Sequence, residues 1–210
     1  MKKKETPLGI LNGLLTLIAT SGIALLILHV CDALYRLAIV TLDIPGYSGF
    51  QQDLILRNYH AAMRYLSPFT KGGFTLPDLA VSEDGAQHFA DTKNIFLYVY
   101  CAAIASIVLL ALIWLLNRKK TRAYLAVSAW TTLALPAIIG LCIAVDFNTF
   151  FVLFHKIFFS NDLWIFDYRT DEIILILPSQ FFMYCALFIA LCWVVAAIIQ
   201  LTISRKRIKP

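Results

Sequence analysis

An imidazole can take up and return a proton near neutral pH, so the four histidines at positions 29, 60, 88 and 155 are the first residues to weigh. His88 lies in SEDGAQHFADTKNIF (82–96), where helical spacing puts Asp84, His88, Asp91 and Ile95 on one face. His155 lies in FHKIFFSNDLW (154–164), which mixes His155, Lys156 and Asp162 with Phe154, Phe158, Phe159, Leu163 and Trp164. His60 falls in a row with Asp53, Arg57 and Arg64 that reads as the wet face of a helix, and His29 stands near the end of an apolar run. Two imidazoles, several carboxylates and an aromatic lining suit acyl transfer on a lipid-like substrate, a reaction that needs neither metal nor cofactor.

The elements that must carry these groups are membrane helices. With 60% of the residues hydrophobic and 15% charged, the relevant solvent is the bilayer as much as water. A crossing takes roughly 20 apolar residues, and four stretches supply them, at about 8–30, 95–116, 123–145 and 181–203. The first follows MKKKE and runs on without a convincing small-residue cleavage site, so it reads as an uncleaved span. The expected fold class is an all-α membrane protein with four transmembrane helices and an extracytoplasmic helical cap. The cap would come from about 31–94 and 146–180, and the whole chain would be one membrane domain.

Basic residues mark cytoplasmic loops. Lys2, Lys3, Lys4, Arg118, Lys119, Lys120, Arg122, Arg205, Lys206, Arg207 and Lys209 share one side with a single acid, Glu5. The two long segments carry seven basic and twelve acidic residues, so both termini are expected in the cytoplasm and both long segments outside. The net +5 is then a topology signal and not a nucleic-acid footprint. Cys31, Cys101, Cys142, Cys185 and Cys192 lie in the spans or at a span end, so the outer loops have no disulfide to form and the cysteines read as small packing groups.

Within the expected cap, DALYRLAIVTLDIPG reads as a short helix with Asp32 and Arg36 at i,i+4 and Pro45-Gly46 as its stop. In FQQDLILRNYHAAMRYLSPF, Ile55, Tyr59, Ala62, Met63 and Leu66 share an apolar face. Asn58 sits beside that stripe, either as a structural bridge or as a ligand contact. Ser82 is a plausible N-cap, with Glu83 and Asp84 in the first turn. His88 then stands one to two turns before the second span and His155 nine residues beyond the third, which puts both at one depth on one side. Independent interfacial histidines would look the same.

Several mechanisms lack their parts. HExxH, GxSxG, CxxC and glycine-rich phosphate loops are all missing. Haem would need histidines within facing spans, and a zinc site from His88, His155 and Asp91 or Asp162 lacks paired ligand spacing. The second, third and fourth spans have no internal charge, which argues against ion transport, and Pro136 and Gly140 read as structural.

Three motifs, NYHAAMRYL (58–66), SEDGAQHFADTKNIF (82–96) and FHKIFFSNDLWIFDYRTDEIILILP (154–178), resemble those of the lipoprotein intramolecular transacylase family over essentially the whole chain. The resemblance implies a bacterial plasma-membrane acyltransferase with its active site on the extracytoplasmic face. The reaction it implies moves an acyl chain from the sn-2 oxygen of a lipoprotein's diacylglyceryl group to the α-amino group of the N-terminal cysteine, leaving a lyso-form lipoprotein. It also implies that His88 and His155 are catalytic, one as base and one as acid or oxyanion stabiliser. Asn58, Tyr59, Asp91, Phe154, Phe158, Phe159, Asp162 and Trp164 are the expected substrate-binding set. The aromatics would exclude water or simply pack at the interface, and Asp91 and Asp162 would orient the imidazoles or stay solvated. Expected partners are a diacylated lipoprotein and membrane lipid, with no nucleic acid, no metal and no cofactor, and the chain is expected to be a monomer. A lipid hydrolase using the same histidines and a non-catalytic accessory subunit remain alternatives.

Overall fold

The computed structural model describes residues 5–118 and 122–205. Of the basic residues that set the expected orientation, Lys2, Lys3, Lys4, Lys119, Lys120, Lys206, Arg207 and Lys209 lie outside the described residues. The described chain is helical: α1 Glu5–Val30, α2 Ala33–Thr41, α3 Ile44–Ser48, α4 Gln52–Leu66, α5 Glu83–Asn117, α6 Tyr124–Phe158, α7 Ile173–Ile176 and α8 Ser179–Arg205. Four of these helices, α1, α5, α6 and α8, are long and apolar enough to cross a membrane. At 1.5 Å per residue the 35 residues of α5 and of α6 each exceed roughly 30 Å of hydrocarbon, so each carries more helix than a crossing needs.

The chain forms two compact units. The first comprises Met1–Leu26, Val99–Val145 and Ala186–Pro210, and the second Ile27–Tyr98 and Asp146–Cys185. In the first, Gly9 and Gly13 have the small-xxx-small spacing that lets helix backbones approach. A Cβ at either would collide with α6, at Val127 and the carbonyl of Tyr124 or at Thr131 and the carbonyl of Ser128. Neutral polar groups tie the same helices together: Asn12 Oδ1 accepts from Ser128 Oγ at 2.8 Å, and Gln200 Nε2 donates to Thr16 Oγ1 at 2.7 Å. All four side chains are buried and hydrogen-bonded, as apolar surroundings require.

The second unit has its own core of Tyr35, Ile39, Ile44, Ile55, Tyr59, Phe74, Phe89, Ile173, Ile176 and Phe181, among others. The apolar stripe predicted for α4 faces it, with Ile55, Tyr59, Ala62 and Leu66 buried and Asp53, Arg57, His60 and Arg64 exposed. Asp32 and Arg36 form the expected i,i+4 pair at 2.8 Å. Pro45-Gly46, in contrast, does not end a helix but lies inside α3. Asp43 Oδ1 accepts from Gly46 N at 3.3 Å, and Pro45 sits in the first turn, where its missing N–H costs nothing.

The helix α6 runs through Pro136 and breaks at Asp146 (φ −161°, ψ 100°). The Asp146 carboxylate caps the segment that follows, accepting from Asn148 N at 3.0 Å and from Thr149 N at 3.2 Å. That segment, 147–158, carries His155.

Candidate active site

His88 is delivered by the start of α5, and the start of α5 is anchored by a buried acid. Asp171, 4% exposed, accepts from Ser82 N and Ser82 Oγ at 2.9 Å and from Thr170 Oγ1 at 2.8 Å. Ser82 Oγ in turn accepts from Gly85 N at 2.9 Å, the cap that the sequence predicts. A second tie flanks the first: Ala80 N donates to Glu172 Oε2 at 2.8 Å, and Glu172 N to the Ala80 carbonyl at 3.2 Å. The carboxylate of Asp171 approaches so closely that a Cβ at position 85 would collide with it, which explains the glycine there.

His155 comes from the segment after Asp146 and is 8% exposed. Its Nδ1 lies 2.8 Å from the carbonyl oxygen of Phe151, one turn back. A carbonyl only accepts, so Nδ1 carries the proton, and the neutral ring keeps its basic lone pair on Nε2.

The two imidazoles are neighbours, with ring centroids 6.0 Å apart. Aromatic side chains surround them. Trp164 stacks on His155 at 4.7 Å, Phe151 lies 4.3 Å and Phe154 5.4 Å from the same ring, and Phe159 touches both histidines, at 4.6 Å from His88 and 5.6 Å from His155. Phe166 meets His88 edge-on at 5.4 Å. His88 Nδ1 is buried without a hydrogen-bond partner among the described residues.

This surrounding sets the protonation state. His88 and His155 stand outside the apolar stretches of their helices, 95–116 and 123–145. Burial pushes the His88 ring down to about 4, helped by the neighbouring His155 and opposed by Asp91. Burial also lowers His155, opposed by its bond to Phe151. Both are therefore neutral at pH 7.

Asn161 links the two sides. Its Nδ2 donates to Asp91 Oδ2 at 3.0 Å, its Oδ1 accepts from Leu163 N at 3.2 Å, and its carbonyl accepts from Trp164 Nε1 at 3.1 Å. The helix that holds His88 is thus tied, one turn along, to the loop that lays Trp164 on His155.

The expected site residues divide accordingly. Phe154, Phe159 and Trp164 lie against His155, and Asp91 is tied to the loop through Asn161. Phe158 packs on Phe154 at 4.8 Å. The side chain of Asp162 is exposed, in keeping with the solvated alternative, and His155 Nδ1 is held by the Phe151 carbonyl. Asn58 and Tyr59 have their contacts elsewhere. The Asn58 amide donates to the Leu54 carbonyl and to Asp78 Oδ2, each at 2.8 Å, and accepts from Asp78 N at 3.2 Å, so the structural bridge accounts for its bonds. Tyr59 stacks on Tyr35 at 3.7 Å. His60, as its exposed row predicts, faces outward and pairs with Asp32 at 2.9 Å.

Sequence reasoning passed over Phe151, Phe166, Asn161 and Asp171. The i−4 position of Phe151 was available as a signal, since a histidine near a helix end commonly bonds the carbonyl one turn back. Asn161 sits in a Ser-Asn-Asp turn, but its partner Asp91 is 70 residues away. Among the described residues no three His, Cys, Asp or Glu side chains gather as a metal would require.

Residues 10–182 match the family profile described as lipoprotein intramolecular transacylase Lit. The chain belongs to that family. A search of curated proteins finds no match. Among solved structures, the membrane integral lipoprotein intramolecular transacylase Lit from Bacillus cereus is 33% identical with a TM-score of 0.90, covering 98% of this chain and 96% of that one. Two variants of the Bacillus cereus protein, with a histidine changed to arginine or to alanine, are likewise 33% identical, each with a TM-score of 0.83 and 96% of this chain covered. As a member of the Lit family the chain is an enzyme, a transacylase, and an integral membrane protein.

Proposed function

We propose that this enzyme transfers an acyl chain from the sn-2 oxygen of a lipoprotein's diacylglyceryl group to the α-amino group of the same N-terminal cysteine, using His155 as base and His88 as a neutral hydrogen-bond donor. The observation that carries the assignment is the bond from His155 Nδ1 to the Phe151 carbonyl, which leaves Nε2 unprotonated in a ring that burial keeps neutral.

The steps follow from that polarity. The substrate's α-ammonium loses one proton to water, and His155 Nε2 removes a second as nitrogen attacks the ester carbonyl. The carbonyl oxygen becomes an oxyanion, which the His88 N–H stabilises without being charged, because its pKa is held near 4. As the intermediate collapses, the N–C bond persists and the C–O bond breaks. The His155 imidazolium then returns its proton to the departing glyceryl oxygen, so the histidines end as they began. Because amine and ester belong to one molecule, holding them at attack distance can contribute roughly 7–11 kcal/mol. Water is the competing nucleophile, and Phe151, Phe154, Phe159 and Trp164 around His155 are the residues that exclude it.

In this reading both termini are cytoplasmic, the histidine pair works on the extracytoplasmic face, and the enzyme acts as a monomer on a diacylated lipoprotein in membrane lipid. The test is co-expression with a diacylated reporter lipoprotein and mass spectrometry of its N-terminal lipopeptide. The lyso-form with an N-acyl cysteine is expected. Free fatty acid with an unmodified amine would make the protein a hydrolase, and an unchanged reporter in the presence of folded enzyme would end the proposal.

A further inference from the structure

The unit that contains the histidine pair also holds a cavity of about 380 Å³ lined by His29, Asp32, Tyr59, His60, Met63 and Arg64. It is within the size range of small-ligand pockets, roughly 300–1,000 Å³, and the proposed acyl transfer makes no use of it.

Four arginines belong to this unit, and three are committed. Arg36 closes on Asp32 at 2.8 Å, Arg57 on Asp78 at 2.7 Å and Arg169 on Asp167 at 2.5 Å. Arg64 has no ion pair and no side-chain hydrogen bond among the described residues, and it is the arginine that lines the cavity. The acid in the wall does not compensate it. Asp32 already accepts from Arg36 Nε at 2.9 Å and lies 2.9 Å from His60 Nε2, and the two together lower its pKa from the ordinary value. The lining therefore offers an unspent guanidinium to whatever enters. His29 is fixed in the wall by a hydrogen bond to the backbone of Met63.

The position of the cavity narrows the occupant. Val30, the last residue of α1, is part of the lining, so the cavity opens at the end of an apolar helix, the level at which a bilayer presents its phosphates. A guanidinium's planar fork matches two phosphate oxygens at once. Met63 and the ring of Tyr59 supply apolar wall beside it.

We infer that this cavity is a phosphate site in which Arg64 holds the headgroup of an anionic phospholipid. Free inorganic phosphate shares the recognised chemistry. The inference stands apart from acyl transfer, since lipid retention can be read whether or not the histidines react.

The experiment uses the full chain in detergent, with phosphatidylglycerol, phosphatidylcholine or inorganic phosphate added, native mass spectrometry to count bound lipid, and thermal unfolding to read stabilisation. Phosphatidylglycerol should be retained over phosphatidylcholine, and Arg64→Gln should weaken that retention roughly fivefold, the usual effect of one basic residue at an anionic surface. Arg64→Lys, which keeps the charge and loses the fork, should fall between the two, and Arg169→Gln should behave as the parent. Stabilisation by inorganic phosphate that requires Arg64, without lipid retention, would support the site and identify free phosphate as its source. Equal retention and equal stabilisation in the parent, Arg64→Gln and Arg64→Lys would overturn the inference.

Discussion

Replacing Asn161 should alter what this enzyme makes as well as how fast it makes it. Asn161→Ala removes the bond to Asp91 (3.0 Å), a hydrogen bond to a charged group worth about 1.5–3 kcal/mol, and the bond from Leu163 N (3.2 Å), worth about 0.5–1.5 kcal/mol. The loop that lays Trp164 on His155 thus loses about 2–4.5 kcal/mol of attachment. At 1.36 kcal/mol per factor of ten, a site that works only with the loop seated should slow by about two powers of ten. Asn161→Asp should be at least as damaging. It sets two carboxylates about 3 Å apart, a repulsion of about 1.4 kcal/mol at the dielectric constant of water and about 5.5 kcal/mol at an effective value of 20. Combining it with Asp91→Asn restores a donor–acceptor pair across the same gap and should recover a substantial part of the loss. The assay is a time course in proteoliposomes that measures N-acylated lyso-lipoprotein and free fatty acid together. A displaced Trp164 admits water, so the fatty-acid share should rise in both single variants and fall again in the double one. Normal rate and normal product ratio in folded Asn161→Ala would refute the reasoning, as would a slower reaction with the product ratio untouched.

Four further outcomes are expected. His88→Ala and His155→Ala should each lower the rate by about two to four powers of ten, the usual range for a positioned acid or base, whereas His60→Ala should leave the product spectrum unchanged; the same lipopeptide mass spectrometry decides. Imidazole ¹⁵N spectra should show His155 neutral and protonated on Nδ1 at pH 7, with both rings titrating below 6.5 and His88 near 4. Because the unfolded chain would take up protons that these buried rings refuse, stability should fall as pH drops from about 6.5 toward 4; a His155 ring already charged at pH 7 would contradict the assignment of the base. Gly85→Ala should force the Asp171 carboxylate away from Ser82 and cost about 1–3 kcal/mol, read as a lower midpoint in thermal unfolding, while Ala86→Gly next to it should cost at most about 1 kcal/mol.

The sequence by itself determined the elements. Four long apolar stretches, the two-sided α4, the Ser82 cap and the exposed row of His60 are all local patterns, readable because helix periodicity and hydropathy act over a few turns. It also singled out His88 and His155 by residue type and depth, and the three motifs brought the family into view. Local pattern misled at Pro45-Gly46, where a neighbouring carboxylate turned a stop into the first turn of α3, and it left Asn58 open between a bridge and a ligand contact because its partner Asp78 is 20 residues away.

Tertiary structure alone decided what surrounds the histidines. That His88 and His155 share a site, that Asn161 reaches Asp91 across 70 residues, and that Asp171 pins the start of α5 are contacts between distant parts of the chain, which no local period encodes. The proposed choice of base is a different case. The bond from His155 to Phe151 spans a single turn, yet it exists because the ring is packed under Trp164 and Phe159 in a rotamer facing back along its own helix, and packing is a property of the fold. The lowered pKa values have the same origin, since desolvation depends on which apolar side chains the fold brings to the rings and not on their neighbours in sequence.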